Sequence, residues 1–257
     1  MLLVIDSGNT NIVFAVFNNN GELSGQWRAS SDYNRTADEL EIWLSQFMAR
    51  DKLERRDITG AIIATVVPSN LFNLQDLCRR FFNCEPIIVG EPMVKMGLKI
   101  LINNPKEVGA DRLCNAVSAH QNYKGQVTVI DFGTATSFDV VDADGNYCGG
   151  IISPGVNLSL EALHMGTAQL PRVNIERPQH VIGTGTISAM QSGIFWGYVS
   201  MVEGITMRIK QEIGGEMTVI ATGGLASMFA DVTDAIDHWD KDLTLFGLLA
   251  IFRLNQP

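Results

Sequence analysis

Val4-Ile5-Asp6-Ser7-Gly8-Asn9-Thr10-Asn11 and Val129-Ile130-Asp131-Phe132-Gly133-Thr134-Ala135-Thr136 share one layout: an apolar run, an Asp, a spacer, a Gly and a hydroxyl. A second apolar run follows each, Ile12 to Phe17 and Ser137 to Val141, and ends in a Gly-bearing turn, Asn18-Asn19-Asn20-Gly21 or Asp142-Ala143-Asp144-Gly145-Asn146. The pattern predicts strand, tight turn, strand and hairpin, stated twice. A Gly after a buried strand lets backbone amides approach a phosphate oxygen with no Cβ in the way. Thr10, Asn11, Thr134 and Thr136 add side-chain donors. An Asp repels phosphate, so at each strand end it reads as the holder of a metal ion or an ordered water. For one copy alone, Asp and Gly merely ending a buried strand would explain the residues equally well; the repetition favours metal-nucleotide chemistry.

A chain of 257 residues with 46% hydrophobic content can bury a large core, as one two-lobed unit or two modest domains. Its 19 basic and 28 acidic side chains give a net charge of -9, and the basic clusters are limited to Arg55-Arg56 and Arg79-Arg80, so no nucleic-acid partner is expected. Met1-Leu2-Leu3-Val4-Ile5-Asp6 reaches a carboxylate too soon for a signal peptide, and no apolar run is long enough to cross a bilayer, so the expectation is a cytoplasmic protein without a membrane partner. Cys78, Cys84, Cys114 and Cys148 lack zinc-site spacing and read as reduced thiols. His120, His164, His180 and His238 sit beside no recognisable nucleophile and read as structural.

Along the chain, the spacing predicts a helix from Thr36 to Arg50, a strand from Ala61 to Val67, a helix from Pro68 through Phe82 and a short strand from Pro86 to Val89. Asn104-Pro105-Lys106-Glu107 is expected to cap a helix running toward Tyr123. Strands follow at Gln126 to Ile130 and Tyr147 to Ile152, a helix at Leu158 to Met165, one long or broken helix at Gly185 to Ile213, a strand at Met217 to Ala221 and a closing helix at Leu243 to Leu254. The order of elements roughly repeats. Two lobes, 1–118 and 119–257, are expected to pack across a cleft.

Other stretches carry weaker signals. Val219-Ile220-Ala221-Thr222-Gly223-Gly224-Leu225 runs a strand into two glycines without a carboxylate, which suits a flat adenine or ribose, or simply an ordinary strand-to-helix turn. Val108-Gly109-Ala110-Asp111-Arg112 sets an acid beside a guanidinium behind two small residues. Such an Asp can accept a hydroxyl proton in phosphoryl transfer while the Arg clamps a carboxylate, although spacing alone favours a surface acid-base pair. Gly183-Thr184-Gly185-Thr186 opens a helix, a place that attracts anions or merely needs a cap. Ile194 to Ile209 holds more apolar residues than one helix face requires, which suggests burial by a second subunit in a homodimer.

Asp6-Ser7-Gly8-Asn9-Thr10-Asn11, Gly109-Ala110-Asp111-Arg112, Asp131-Phe132-Gly133-Thr134-Ala135-Thr136, Gly185-Thr186 through Gln191-Ser192-Gly193 and Ala221-Thr222-Gly223-Gly224-Leu225 together resemble the type III pantothenate kinase family, over nearly the whole chain. Single motifs are shared with the wider sugar kinase, Hsp70 and actin superfamily. Asn-Pro-x-Glu-Val-Gly-Ala-Asp-Arg at 104 to 112, followed by Asp-Phe-Gly-Thr-Ala-Thr, is specific to the family. The resemblance implies an α/β, duplicated ribonuclease-H-like fold, a homodimer, and transfer of the ATP γ-phosphoryl group to pantothenate, the first step toward coenzyme A. It implies Asp111 as proton acceptor, and Gly109, Ala110, Asp111, Arg112 and Thr186 as the pantothenate site. It further implies Asp6, Ser7, Gly8, Asn9, Thr10, Asn11, Ile12 and Val13 as the ATP phosphate segment, with Asp6 near magnesium and Thr134 as another ATP contact. Asp131 is implied as the ligand of a monovalent cation, potassium or ammonium. Many members have an aromatic residue shortly before the Asn-Pro pair, where this chain has Leu101-Ile102-Asn103-Asn104, so an aromatic pantothenate contact at 102 is absent. Some relatives are named as accessory factors for transcription, so the alternative is a nucleotide-binding regulatory protein without kinase activity. Asp6, Asp111 and Asp131 argue for catalysis, since regulation alone has no chemical need of all three.

Overall fold

The computed structural model describes residues 1–167 and 169–256, and its contacts divide the chain into two units, Met1–Ser118 with the segment from Asp242 onward, and Ala119–Lys241. In the first unit β1 (Leu2–Ser7), β2 (Asn11–Phe17) and β3 (Leu23–Ser30) form an antiparallel meander. After α1 (Ala37–Arg50), β4 (Gly60–Thr65) joins β1 in parallel, and after α2 (Pro68–Phe81), β5 (Pro86–Ile88) joins β4, giving the order β3-β2-β1-β4-β5. The β1 side chains are nearly all buried, as expected of a central strand covered on both faces. Helix α1 starts where its sequence allows a capping box: Thr36 Oγ1 accepts from Glu39 N at 3.3 Å, and the Glu39 carboxylate accepts from Thr36 N at 2.8 Å. Its buried residues Leu40, Leu44 and Met48 recur every four positions and face Phe14, Val16 and Ile63 in one core.

The helix expected from Asn104 begins later. Pro105–Glu107 is a separate single turn closed by an Asn104 Nδ2 bond to Glu107 Oε1 of 2.8 Å, Val108 is extended at ψ 124°, and α3 runs Ala110–Asn122. Asp111 therefore lies in the first turn of a helix, at its electropositive end. The boundary between the units falls within α3.

The second unit repeats the plan. β6 (Gln126–Phe132), β7 (Ala135–Val141) and β8 (Tyr147–Pro154) form the meander, and β9 (Met217–Gly223) and β10 (His238–Trp239) add in parallel to give β10-β9-β6-β7-β8. Helix α4 (Val156–Met165) follows the meander, α5 (Thr186–Ile213) is one unbroken helix of 28 residues, and α6 (Ala226–Ala230) is a short turn after β9. Phe229 stacks on Phe132 at 4.9 Å and on Phe195 at 5.5 Å, joining α6, β6 and α5 in one apolar cluster. That cluster takes Phe195, Tyr198, Val199, Val202 and Ile209, so the unit's own sheet buries most of the apolar wealth of α5 that suggested a second subunit.

The closing helix α7 (Leu243–Leu254) corrects the expected grouping of residues 119–257: it belongs to the first unit. Leu245, Leu248, Leu249 and Ile251 enter a cluster with Leu2, Val4, Ile62 and Ala64 of the first sheet and Cys114 of α3. Gly247 permits the approach, because a Cβ there would run into the Cys114 carbonyl. Among the described residues, no helix is long and apolar enough to cross a membrane.

Candidate active site

In the first unit the ladder between β1 and β2 pairs Asp6 with Val13 and Ser7 with Ile12, leaving Gly8, Asn9 and Thr10 as the connection. Gly8 N donates to Asn11 O at 2.9 Å and closes the turn. Asn9 and Thr10 are exposed, Gly8 and Asn11 half-buried, and Ser7 and Ile12 buried. The Ile12 side chain belongs to the core, so Ile12 can offer a ligand its backbone alone, while Asp6 and Val13 are half-buried.

The start of α3 supplies the second element. A Cβ on Gly109 would lie 2.6 Å from Asp111 Oδ1 and 3.3 Å from Val66 Cγ1, so the carboxylate occupies the space a side chain would need. Arg112 N donates to Asp111 Oδ1 at 2.7 Å, which fixes the rotation of the carboxylate at the helix start. Ala110 packs into the core and Arg112 is half-buried. Cys114, one turn on, is fully buried; burial pushes its thiol well above the usual range, and the negative charges of Asp6 and Asp111 push it the same way. Two carboxylates more than a hundred positions apart in sequence thus act on one buried thiol.

In the second unit Asp131 is half-buried near the end of β6 and pairs with Ser137, and its turn is closed by Gly133 N donating to Ala135 O at 3.0 Å. The β9 ladder sets Phe132 opposite Gly223, whose φ is +92°. A Cβ on Gly223 would lie 2.6 Å from Asp131 Oδ1 and 2.7 Å from Phe132 O, so the double-glycine motif borders the carboxylate with bare backbone. The oxygens of Asp131 and Phe132 are hard donors of the type alkali cations take. Thr134 is exposed and accepts from Gly155 N through its carbonyl at 3.1 Å. Thr136, grouped with the donors in the sequence, is instead buried, with no hydrogen bond to its Oγ1.

Thr186 is on a different element, exposed at the first position of α5, beside a cavity of about 460 Å³ lined also by Leu163, Leu170, Ala189, Met190, Gly193 and Ile194. Ser188 Oγ accepts from Gly185 N at 3.1 Å and so caps the helix in place of Thr184 or Thr186. Among the described residues, no group of three or more His, Cys, Asp or Glu forms a metal cluster. The partnership of Gly223 with Asp131 went unread in the sequence, because it arises from strand pairing across some 90 residues.

Two copies of one five-stranded sheet, each with an Asp-x-Gly turn where its first strand ends, define the class: a duplicated α/β fold of the actin-like, sugar kinase type. A candidate 2-dehydro-3-deoxygalactonokinase from Sinorhizobium meliloti shares it at a TM-score of 0.60 with 12% identity, covering 100% of this chain and 97% of that one. A candidate Baf family transcriptional activator from Campylobacter jejuni does so at 0.59 with 20% identity, covering 98% of each chain. The family profile for type III pantothenate kinase matches residues 2–208, and the type III pantothenate kinase of Paramagnetospirillum magneticum is 64% identical over 100% of this chain and 98% of its own length. The chain belongs to the type III pantothenate kinase family.

Proposed function

We propose that the protein transfers the γ-phosphoryl group of ATP to the terminal hydroxyl of pantothenate, giving 4'-phosphopantothenate. The observation that carries this reading is the family match over residues 2–208; the charges of Asp6 and of Asp111 at the start of α3, which both push the buried Cys114 thiol up, support it. Asp111 accepts the hydroxyl proton as the oxygen attacks phosphorus, and Arg112 pairs with the pantothenate carboxylate. Amides of Gly8, Asn9 and Thr10 hold phosphate oxygens, and Thr134 adds an ATP contact. Gly109 keeps the approach to Asp111 open, and Thr186 contacts pantothenate. Positioning and charge supply most of the acceleration in such transfers.

Asp6 would hold magnesium with ATP, and Asp131 with the Phe132 carbonyl would hold potassium or ammonium; both cations supply positive charge against the phosphates. The protein works as a cytoplasmic homodimer in this reading. Support for the dimer comes from β8, an edge strand exposing Ile152, and from the exposed Leu158 and Met165 of α4. One assay tests the proposal: ATP, magnesium, potassium and pantothenate, with the product detected by mass. Phosphopantothenate is expected, at a lower rate when sodium replaces potassium. ATP binding without that product would favour a regulatory protein, and equal rates in both salts would remove Asp131 from the cation role.

A further inference from the structure

The buried face of α2 is Asn70, Leu74, Leu77 and Cys78, the spacing of a core-facing stripe with an amide where an apolar residue would pack. Burying an amide costs free energy unless it is hydrogen-bonded, so the position is chemically conspicuous. Asn70 Nδ2 donates both hydrogens, to Ser7 Oγ at 3.2 Å and to Ser31 Oγ at 3.0 Å. Ser7 is the fully buried last residue of β1, where the turn begins, and Ser31 N donates to Thr10 O at 2.9 Å on its far side. The anchor is itself fixed: Pro68 opens α2, Thr65 Oγ1 accepts from Val67 N at 3.0 Å, and Asn70 N donates to Val67 O at 3.0 Å.

We propose that Asn70 is a positioning residue for ATP, holding the two ends of the Ser7 to Thr10 turn in the spacing its amides need to receive phosphate. The inference rests on the assignment of that turn to the ATP phosphates. Without the amide, Ser7 and Ser31 lose their common donor, while the ladder, the Ser31 N bond to Thr10 O of 2.9 Å and the Val66 N bond to Ser7 O of 3.1 Å remain. The lesion falls on nucleotide affinity and spares the pantothenate groups on α3.

The test is steady-state kinetics of Asn70→Leu, which keeps the stripe packed, with Ser31→Ala as a milder cut of the same link and thermal melting as a check of folding. Asn70→Leu is expected to raise the ATP KM at least fivefold while kcat and the pantothenate KM stay within twofold. Ser31→Ala is expected to raise the ATP KM about threefold, and the double variant to be no worse than Asn70→Leu, as members of one network behave. A folded Asn70→Leu with an unchanged ATP KM overturns the proposal, as does an equal rise in both KM values; if Asn70→Leu does not fold, an unchanged Ser31→Ala does so. Gly8→Val separates the premise from the inference. If it leaves the ATP KM unchanged, the turn is not the phosphate segment and both fail; if it raises the KM while Asn70→Leu does not, the positioning role alone fails.

Discussion

Asp111 combines a location and a constraint: it stands at the electropositive start of α3, and its Oδ1 is pinned by the Arg112 amide. If Asp111 is the base, as proposed, removing its charge removes the chemistry and keeps the shape. Asp111→Asn is expected to lower kcat by about 10²–10⁴-fold with an unchanged melting temperature, read by initial rates and thermal unfolding. Gly223→Ala probes the other acid. Its φ of +92° and the crowding of Asp131 Oδ1 both oppose a Cβ, so the variant is expected to displace that carboxylate and to weaken potassium activation, measured as a shift in the potassium concentration for half-maximal rate. The carboxylates themselves were legible in the sequence because Asp, Gly and hydroxyl lie within a few residues of each other. Gly223 as a wall of Asp131, and Asn70 as the brace of Ser7, were not, since those contacts depend on pairing and packing between distant segments.

At the scale of elements, local signals predicted well where they were strong. The helical spacing from Thr36 to Arg50 placed α1 to within one residue, and the periodic Leu243 to Leu254 placed α7 to the residue. Asn104-Pro105 misled because a Pro after a capping residue also opens a single tight turn, and Val108 and Gly109 then interrupt the path to α3. The capping box makes a measurable prediction. Hydrogen bonds from Thr36 hold the Glu39 carboxyl below its usual value, so its stabilisation is present above the unfolded carboxyl pKa and is lost as pH falls through the depressed folded value. Thr36→Ala is expected to cost about 1 kcal/mol at neutral pH. The difference from the parent should narrow below about pH 4, read by urea unfolding across pH.

On the scale of the whole molecule, exposed apolar residues occur in both units, among them Met93 at 90% in the first and Ile152 at 65%, Met165 at 73% and Ile182 at 83% in the second. The richness of α5 that first suggested a dimer proved to be spent on its own sheet, and the exposed residues of β8 and α4 take its place as the argument. Ile152→Asp, on an edge strand, is expected to yield a folded monomer by analytical ultracentrifugation where the parent is a dimer. A parent that sediments as a monomer would remove the assembly from the functional proposal. Duplication was visible in the sequence because each copy spells its own turn; the allegiance of the last helix was not, since an amphipathic helix does not name the sheet it will cover.

That allegiance shapes the order in which the chain can assemble as it is made. The second unit is an insertion between two parts of the first, so all of its residues leave the ribosome before α7 does. The face formed by Leu2, Val4, Ile62 and Ala64 then has Val89 and the α3 residues Ala110, Cys114 and Val117 to cover it, and its cover is completed when Leu245, Leu248 and Ile251 arrive from the far end of the sequence. The turn proposed to hold ATP is thus synthesised among the first residues, yet the core of its unit is completed among the last.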